Sequence, residues 1–237
     1  MFSPNSAYLP PMLPTIPIPD TIPLLTIPET VLFPKALLPM IVVDEKEKQL
    51  LADILRSSRM VVISGINRDP GPGNDHEDFF RTGGVGLVRA CHENQDGTSN
   101  LILQGLARVE IEKIIFEDPY KVARIRVLES SGESPESLLE NLTDRLNRAI
   151  QLSVDLGNPI RPDILEFLQN IKEPEAFLDI SAFTLCKSVE DKQQLLETLD
   201  TKERFELLLE FMRIENDRLQ LLNKLKGNLS DEDIELN

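Results

Sequence analysis

The hydrophobic pattern of this chain changes its period once, at residues 130–135, and that change constrains the fold more than any other feature. Before it, apolar and polar residues alternate, as in residues 122–128, which is the two-residue period of half-buried strands. After it, apolar residues recur every three or four positions, as in residues 138–150, which is the period of amphipathic helices. The sequence therefore predicts a β-rich half over residues 24–133 and a helical half over residues 134–227.

The β-rich half contains seven strand-like runs and one helix. We expect the helix to begin after Asp44, whose side chain can cap it, and to bury a stripe that includes Leu50 and Ile54. The dipeptide Asp96-Gly97 lies between two apolar runs and predicts a hairpin turn. The predicted strands are residues 22–26, 40–43, 60–64, 84–90, 100–104, 107–116 and 121–128.

Start signals divide the helical half into five helices. Pro162 and Pro174 suit the first turn of two short helices, because the missing N–H of proline costs nothing there. Ser188 can cap the fourth helix, and Asp200 can cap the last and longest one. We expect that last helix to span residues 202–226.

The two ends of the chain differ in composition from the halves between them. Ten of the 17 prolines fall within residues 1–40, and we interpret residues 1–23 as a proline-rich arm, since proline is excluded from helix interiors and central strands. No Arg or Lys flanks these prolines, which favours a stiff arm over a ligand for a proline-binding module. Gly227 predicts the end of the last helix, and residues 228–237 form an acidic tail.

The charge balance limits the partners that this chain can bind. With 25 basic and 40 acidic residues, its net charge of −15 repels nucleic acid and anionic lipid. No apolar run approaches the roughly 18 residues that span a membrane. Two cysteines are too few for a disulfide framework and favour a reducing compartment, so we expect a cytoplasmic protein.

The motifs of common enzyme classes are missing from the sequence. It contains no Gly-Lys dipeptide, which excludes a P-loop, and no G-x-S-x-G nucleophile elbow. His76 lies in an acidic loop with oxygen donors, but no spacing typical of metal ligands accompanies it, and a solvated loop is the simpler interpretation. We therefore expect no catalytic residue, no metal and no cofactor.

The aromatic pair Phe79-Phe80 stands at the end of a polar loop, in a chain that has ten Phe, two Tyr and no Trp. Exposed aromatic pairs bind partners, so both residues are candidate partner-binding residues. Alternatively, the pair packs down onto the core. The sequence does not decide between these two interpretations.

Four segments, spread in order over residues 22–225, carry a resemblance to a known family. They are residues 23–40 (PLL, then VLFP, then LPM), 84–90 (GVGLVRA), 103–111 (LQGLARVEI) and 191–208 (DKQQLLETLD, then an arginine and two leucines). Together they resemble the Lon N-terminal domain family, the substrate-binding domain of the ATP-dependent protease La. This resemblance implies an α+β fold, in which a PUA-like β pseudo-barrel with one helix is followed by a helical bundle that ends in a long helix.

The resemblance also implies structural roles for four residues. Phe33 would anchor the first crossing of the barrel, and Pro34 would stop strand pairing there. Gly105 would let strands approach closely at a bend. Arg108 would pair with a carboxylate in the barrel wall.

The function implied by the resemblance is non-enzymatic recognition of peptide or unfolded-protein segments. The binding surface would be the cleft between barrel and bundle or the loop at Phe79 and Phe80. Because this sequence ends about where the helical neck of the protease begins, we expect no ATPase or peptidase domain. The alternative is an adaptor or regulator that docks on a protein machine, such as a Lon-type protease or a chaperone, through its long last helix. The sequence leaves open whether the chain is a monomer or a weak dimer.

Overall fold

The fold has the predicted order, with strands first and helices after them. The computed structural model describes residues 16–67 and 79–232, with the side chains of the last helix described as far as Leu225. The first half contains β1 (Thr21–Thr26), β2 (Leu37–Val42), α1 (Glu45–Arg56), β3 (Met60–Ser64), β4 (Thr82–Glu93), β5 (Ser99–Phe116) and β6 (Val122–Leu128). The second half contains α2 (Glu136–Asp155), α3 (Pro162–Gln169), α4 (Pro174–Leu185), α5 (Val189–Glu197) and α6 (Thr201–Glu232).

The six strands form one sheet in the order β2-β5-β4-β3-β1-β6. Strands β1 and β3 are parallel, whereas the other pairs are antiparallel. A further pairing between β5 and β6 closes the sheet on itself. The predicted α+β class, a pseudo-barrel with one helix followed by a helical bundle, is confirmed.

Local sequence signals account for the ends of several elements. The side chain of Asp44 accepts a hydrogen bond from the Lys46 amide and caps α1, whose residues Leu50 and Ile54 are buried as predicted. Gly97 occupies the turn between β4 and β5 with a φ of 78°. These elements were predictable because their determinants are neighbours in the chain.

Strand β5 is longer than predicted, because the two expected strands at 100–104 and 107–116 are one continuous strand. Its interruption is a bulge, at which Gly105 pairs with Gly86 and Ala107 pairs with Val85. A Cβ atom on Gly105 would lie 1.9 Å from the carbonyl oxygen of Phe33. The close approach that the sequence predicted is therefore made to the segment before β2, not to another strand.

Both ends of the chain depart from the predicted boundaries. Strand β1 begins at Thr21, inside the segment assigned to the arm, because Ile22 is 1% exposed and packs in the barrel core. Residues 1–15 of the arm lie outside the described residues. Helix α6 continues through Gly227 to Glu232, so the predicted end is wrong. A helical glycine costs about 1 kcal/mol without ending a helix by itself.

The apolar core is divided between the barrel and the bundle, and one segment crosses from the first to the second. Val31, Phe33 and Ala36, between β1 and β2, belong to the cluster that the helices bury. The ring of Phe33 is fully buried in this cluster, with Arg108 of β5 over it at 5.9 Å, and its role as an anchor of the barrel stays a prediction. Pro34 follows it, and the pairing of β2 with β5 begins at Leu37. The segment between β1 and β2 thus links the barrel to the core of the bundle.

Replacing Gly105 by Ala should destabilise the protein by about 3 kcal/mol or more, because the new methyl group meets backbone that cannot move aside. Urea unfolding measures this change. Gly157→Ala is the matched control, since Gly157 has a positive φ of 90° but no atom within 4 Å of a Cβ. The control should cost about 1–2 kcal/mol from backbone strain alone. Equal losses in the two variants would contradict the proposed clash.

Candidate functional site

The barrel and the bundle are joined by a buried ion pair between Arg108 on β5 and Asp179 on α4. Nη1 and Nη2 of Arg108 donate to the two carboxylate oxygens at 3.0 and 2.5 Å, and Nε donates to the carbonyl of Leu196 at 3.2 Å. Both side chains are about 95% buried. The expected carboxylate partner of Arg108 exists, but it belongs to the bundle and not to the barrel wall, because this part of β5 faces the helices.

A second buried arginine extends this contact. Arg204 on α6 is fully buried, and its Nη2 donates to Ser130 and Glu175 at 3.2 Å each. Its Nη1 lies 3.6 Å from Asp179. Burial acts to raise the pKa of Glu175, but hydrogen bonds from Thr201 and Ser130, together with the nearby guanidinium groups, hold that pKa below its usual value. The network therefore favours the ionised carboxylate.

Backbone contacts fix the same junction. The Ser131 amide donates to the Leu199 carbonyl at 2.9 Å, and the Thr201 amide donates to the Ser131 carbonyl at 3.2 Å. The amide group of Gln193 on α5 donates to the Thr82 carbonyl on β4 at 3.0 Å. These bonds link the barrel to the middle of α5 and to the connection between α5 and α6.

A cavity of about 530 Å³ opens beside this junction, between barrel loops and the connection from α4 to α5. The barrel contributes the loops that follow β1 and β3, together with Phe80, which lies two positions before β4. The bundle contributes the residues around the start of α5. Its apolar lining consists of Pro28, Ile66, Phe80 and Val189, and its polar lining consists of Glu29, Asn67, Lys187, Ser188 and Glu190.

A second cavity of about 360 Å³ adjoins the first and shares Lys187 and Ser188 with it. It extends toward α6 along the bundle. Its lining is mostly apolar and is formed by Leu185, Cys186, Phe211, Met212 and Ile214, with Asn158, Asp191 and Glu215. We call the two adjoining cavities the junction groove.

The structure separates the two aromatic candidates of the sequence. Phe79 is 4% exposed and packs in the barrel core, so it cannot contact a partner from this position. Lys121 lies over its ring at 5.2 Å. Phe80 is half-buried and lines the junction groove. A binding role for Phe80 stays a prediction, whereas the core interpretation is correct for Phe79.

Acidic groups dominate the bundle side of the groove. The hydroxyl of Ser188 caps α5 by accepting from the Asp191 amide at 3.1 Å, as the sequence predicted. Burial and the adjacent Glu190 raise the pKa of Asp191. Lys187 donates to Glu215 at 2.9 Å, and hydrogen bonds from Arg218 and from Lys187 lower the pKa of Glu215 to about 2. The charge of Lys187 is thus matched by the carboxylate of Glu215.

Sequence reasoning missed most of this groove. Pro28, Ile66 and Val189 lie in loops or at helix ends, and they come together only through the tertiary fold. Glu29 has a φ of 59°, a conformation that is costly for a residue with a side chain. No local signal in the sequence marks that turn, and Phe80 alone stood out as a candidate.

Neither a cluster of metal ligands nor a membrane-spanning helix is found among residues 16–67 and 79–232. In this part of the chain, no three His, Cys, Asp or Glu side chains are grouped as ligands of a metal ion. The same residues include no helix with the length and apolar character that crossing a bilayer requires. The acidic loop around His76 lies outside the described residues.

Comparison with known proteins identifies the family. A family model described as the ATP-dependent protease La (LON) substrate-binding domain matches residues 21–213. This chain belongs to that family. The four segments that carried the resemblance all lie within the matched region, and the expected family is confirmed.

Relatives of the chain include Lon proteases of bacteria. The Lon protease of Dictyoglomus thermophilum is 29% identical over 215 residues, which cover 91% of this chain and 27% of the relative. The Lon protease of Syntrophus aciditrophicus is 32% identical over 213 residues, covering 86% of this chain and 26% of the relative. The chain thus spans about a quarter of the length of these relatives.

Solved structures of Lon N-terminal domains share the fold. The N-terminal domain of a Mycobacterium avium complex Lon protease matches with a TM-score of 0.63 and 18% identity, over 81% of this chain and 98% of that domain. A Lon N-terminal domain protein from Xanthomonas campestris matches with a TM-score of 0.60 and 19% identity, over the same shares. At such identities the likeness establishes the fold.

Replacing Arg108 by Met should lower the free energy of unfolding by about 3–5 kcal/mol. The buried carboxylate of Asp179 would lose two hydrogen bonds and keep only Arg204, at 3.6 Å, as a positive neighbour. Urea denaturation provides the measurement. Arg126→Met is the matched control, since Arg126 pairs with Glu110 on the exposed side of the barrel and should cost less than about 1 kcal/mol. The double variant Arg108→Met, Asp179→Leu should recover part of the loss. A loss equal to that of the control would show that the buried pair does not join the halves.

The two cysteines should react with a thiol reagent at very different rates. Burial, and then the nearby Asp191, raise the pKa of Cys186 from 9.0 to about 12, which lowers its thiolate fraction at pH 8 about a thousandfold. Cys91 is exposed and serves as the internal reference. We expect one fast and one slow phase in the native protein, and Cys91→Ser should remove the fast phase. Two fast phases in the native protein would contradict the burial of Cys186.

Proposed function

We propose that this chain is a non-enzymatic module that binds extended segments of peptides or unfolded proteins in the junction groove. The observation that carries the proposal is the groove itself, in which apolar side chains such as Phe80, Ile66 and Phe211 lie beside polar ones. Cavities of about 300–1,000 Å³ are typical of ligand sites. The description of the matched family as a substrate-binding domain supports the same function.

Apolar burial supplies the affinity in this proposal. An apolar side chain seated against Phe80, Ile66 and Val189 removes its surface from water, at about 25 cal/mol per Å². The cost of association offsets much of this gain. We therefore expect micromolar affinity, which suits a module that must release what it binds.

Charge selects among the apolar segments. The chain carries a net charge of −15, so segments with basic residues beside the apolar anchor are favoured. Such electrostatic steering acts chiefly on the association rate and weakens with salt. The preference for basic segments should therefore decline at high ionic strength.

The match of residues 21–213 to a substrate-binding family supports a module with no catalytic activity of its own. The scarcity of cysteine supports a reducing compartment such as the cytoplasm. The proposal includes unfolded segments as partners and includes neither nucleic acid nor membrane, in keeping with the acidic charge.

A second candidate function is an adaptor that docks on another protein through α6. The observation that favours it is a row of exposed apolar side chains on that helix, in which Ile214, Leu221 and Leu225 are 53%, 59% and 50% exposed. Their spacings of seven and four residues place them on one side of the helix. A partner helix could pack along this row.

Binding to an array of unfolded-protein peptides, followed by fluorescence anisotropy with the tightest peptide, tests the proposed function. Phe80→Ala should weaken binding about tenfold, because the cavity of about 530 Å³ loses its largest apolar side chain. Phe167→Ala is the control, since Phe167 is 55% exposed on α3 and lies outside the groove. Thermal unfolding of each variant separates lost binding from lost fold. Unchanged affinity in Phe80→Ala would reject the groove, and an absence of binding by the wild-type protein would leave the adaptor function.

A further inference from the structure

Two basic side chains lie next to each other on the outside of the barrel. Lys113 on β5 and Arg124 on β6 are partners across the two strands, and both are exposed. In the part of the chain that the structure describes, no carboxylate lies within ion-pair distance of either one, whereas the neighbouring Arg126 pairs with Glu110. Like charges that face each other across strands are destabilising. An acidic group bound between the two would relieve this repulsion.

An apolar row lies beside these two residues on the same face of the sheet. Val122 is two positions from Arg124 on β6, and it is flanked by Phe116 of β5 and Pro23 of β1. Phe116 is 61% exposed. We call Lys113 and Arg124 the basic row, the three apolar residues the apolar row, and both rows together the outer patch. A ligand that fits the outer patch carries acidic groups beside apolar ones.

The residues that follow α6 have this composition. Residues 233–236 (DIEL), which lie beyond the described residues, alternate between acidic and apolar side chains. We call them the acidic segment. Alternate side chains of an extended chain point to opposite sides. An extended acidic segment that crosses the strands between the two rows therefore directs its acids to the basic row and its apolar side chains to the apolar row.

The acidic segment is too far from the outer patch of its own chain to bind there. Helix α6 begins where the Thr201 amide donates to the Ser131 carbonyl, and it extends about 46 Å to Glu232 at ~1.5 Å per residue. The chain from Ser131 back to Arg124 spans at most about 25 Å. The end of α6 therefore lies at least about 15 Å from Arg124, and Asp233 is the next residue. An acidic segment on the outer patch thus belongs to a second copy.

We propose that the outer patch binds the acidic segment of a second copy of this chain. Two copies with a net charge of −15 repel each other, and the basic row is a place where this repulsion is replaced by attraction. The contact joins two different surfaces, so it is heterologous and can add one copy after another.

The association is weak, because so few residues bury much less than the ~800 Å² that each partner buries in a standard interface. It is independent of the proposed function, since the outer patch and the junction groove have no residue in common.

Sedimentation velocity of the full chain at low salt, from about 5 µM to about 500 µM, tests this association. The average mass of the wild-type protein should rise with concentration, and high salt should suppress the rise. The patch variant Lys113→Gln, Arg124→Gln should weaken the association at least tenfold. The matched control is Arg145→Gln, Arg148→Gln, which removes two exposed arginines of α2 and should associate as the wild type does.

A mixture of two variants tests which surfaces meet. The segment variant Asp233→Asn, Glu235→Gln keeps the outer patch, and the patch variant keeps the acidic segment. Each variant alone should be monomeric. Together they should form a 1:1 dimer that adds no third copy, because only one pair of complementary surfaces is left.

Three results would overturn the proposal. They are a wild-type protein that stays monomeric over the whole range, a mixture of the two variants that stays monomeric, and an association that the segment variant loses but the patch variant keeps. Peptide binding in the junction groove should be the same in the patch variant and in the wild type. The failure of this proposal and the failure of the proposed function can therefore be told apart.

Discussion

The buried pair of Arg108 and Asp179 sets the position of the barrel relative to the bundle, and the candidate site depends on that position. One wall of the junction groove comes from the barrel, with Phe80, and the other comes from the bundle, with Val189. A buried ion pair contributes little net stability, because desolvation offsets most of its attraction. Its two parallel hydrogen bonds instead require one orientation. We infer that the pair fixes the orientation of the barrel relative to the bundle more than it stabilises the folded state.

Much of the fold could be predicted from the sequence, where its determinants lie close together along the chain. The change of period at residues 130–135 predicts the division into two halves. Capping by Asp44 and Ser188 predicts the start of two helices. The same local reasoning fails at Gly227, because a glycine signals a helix end only when the chain leaves the helix there, and α6 continues.

The candidate site could not be predicted in the same way, because its parts meet only in three dimensions. The resemblance implies a carboxylate partner for Arg108, but not that this partner lies 71 residues away on α4. Phe33 lies in the half of the sequence that predicts strands, but its side chain is buried in the cluster that the helices form. Of the groove residues, Phe80 alone was a binding candidate from the sequence, because an aromatic residue at the end of a polar loop is unusual.

The insertion of Phe33 into the bundle has a consequence for the order in which the chain folds. Phe33 leaves the ribosome before Phe177 and Phe205, which share its cluster, have been synthesised. Contacts between residues this far apart in sequence form slowly, since a long loop must close first. The barrel can therefore assemble early, but the ring of Phe33 stays exposed until the last helix has been synthesised. During synthesis, a chaperone can bind this exposed ring of Phe33.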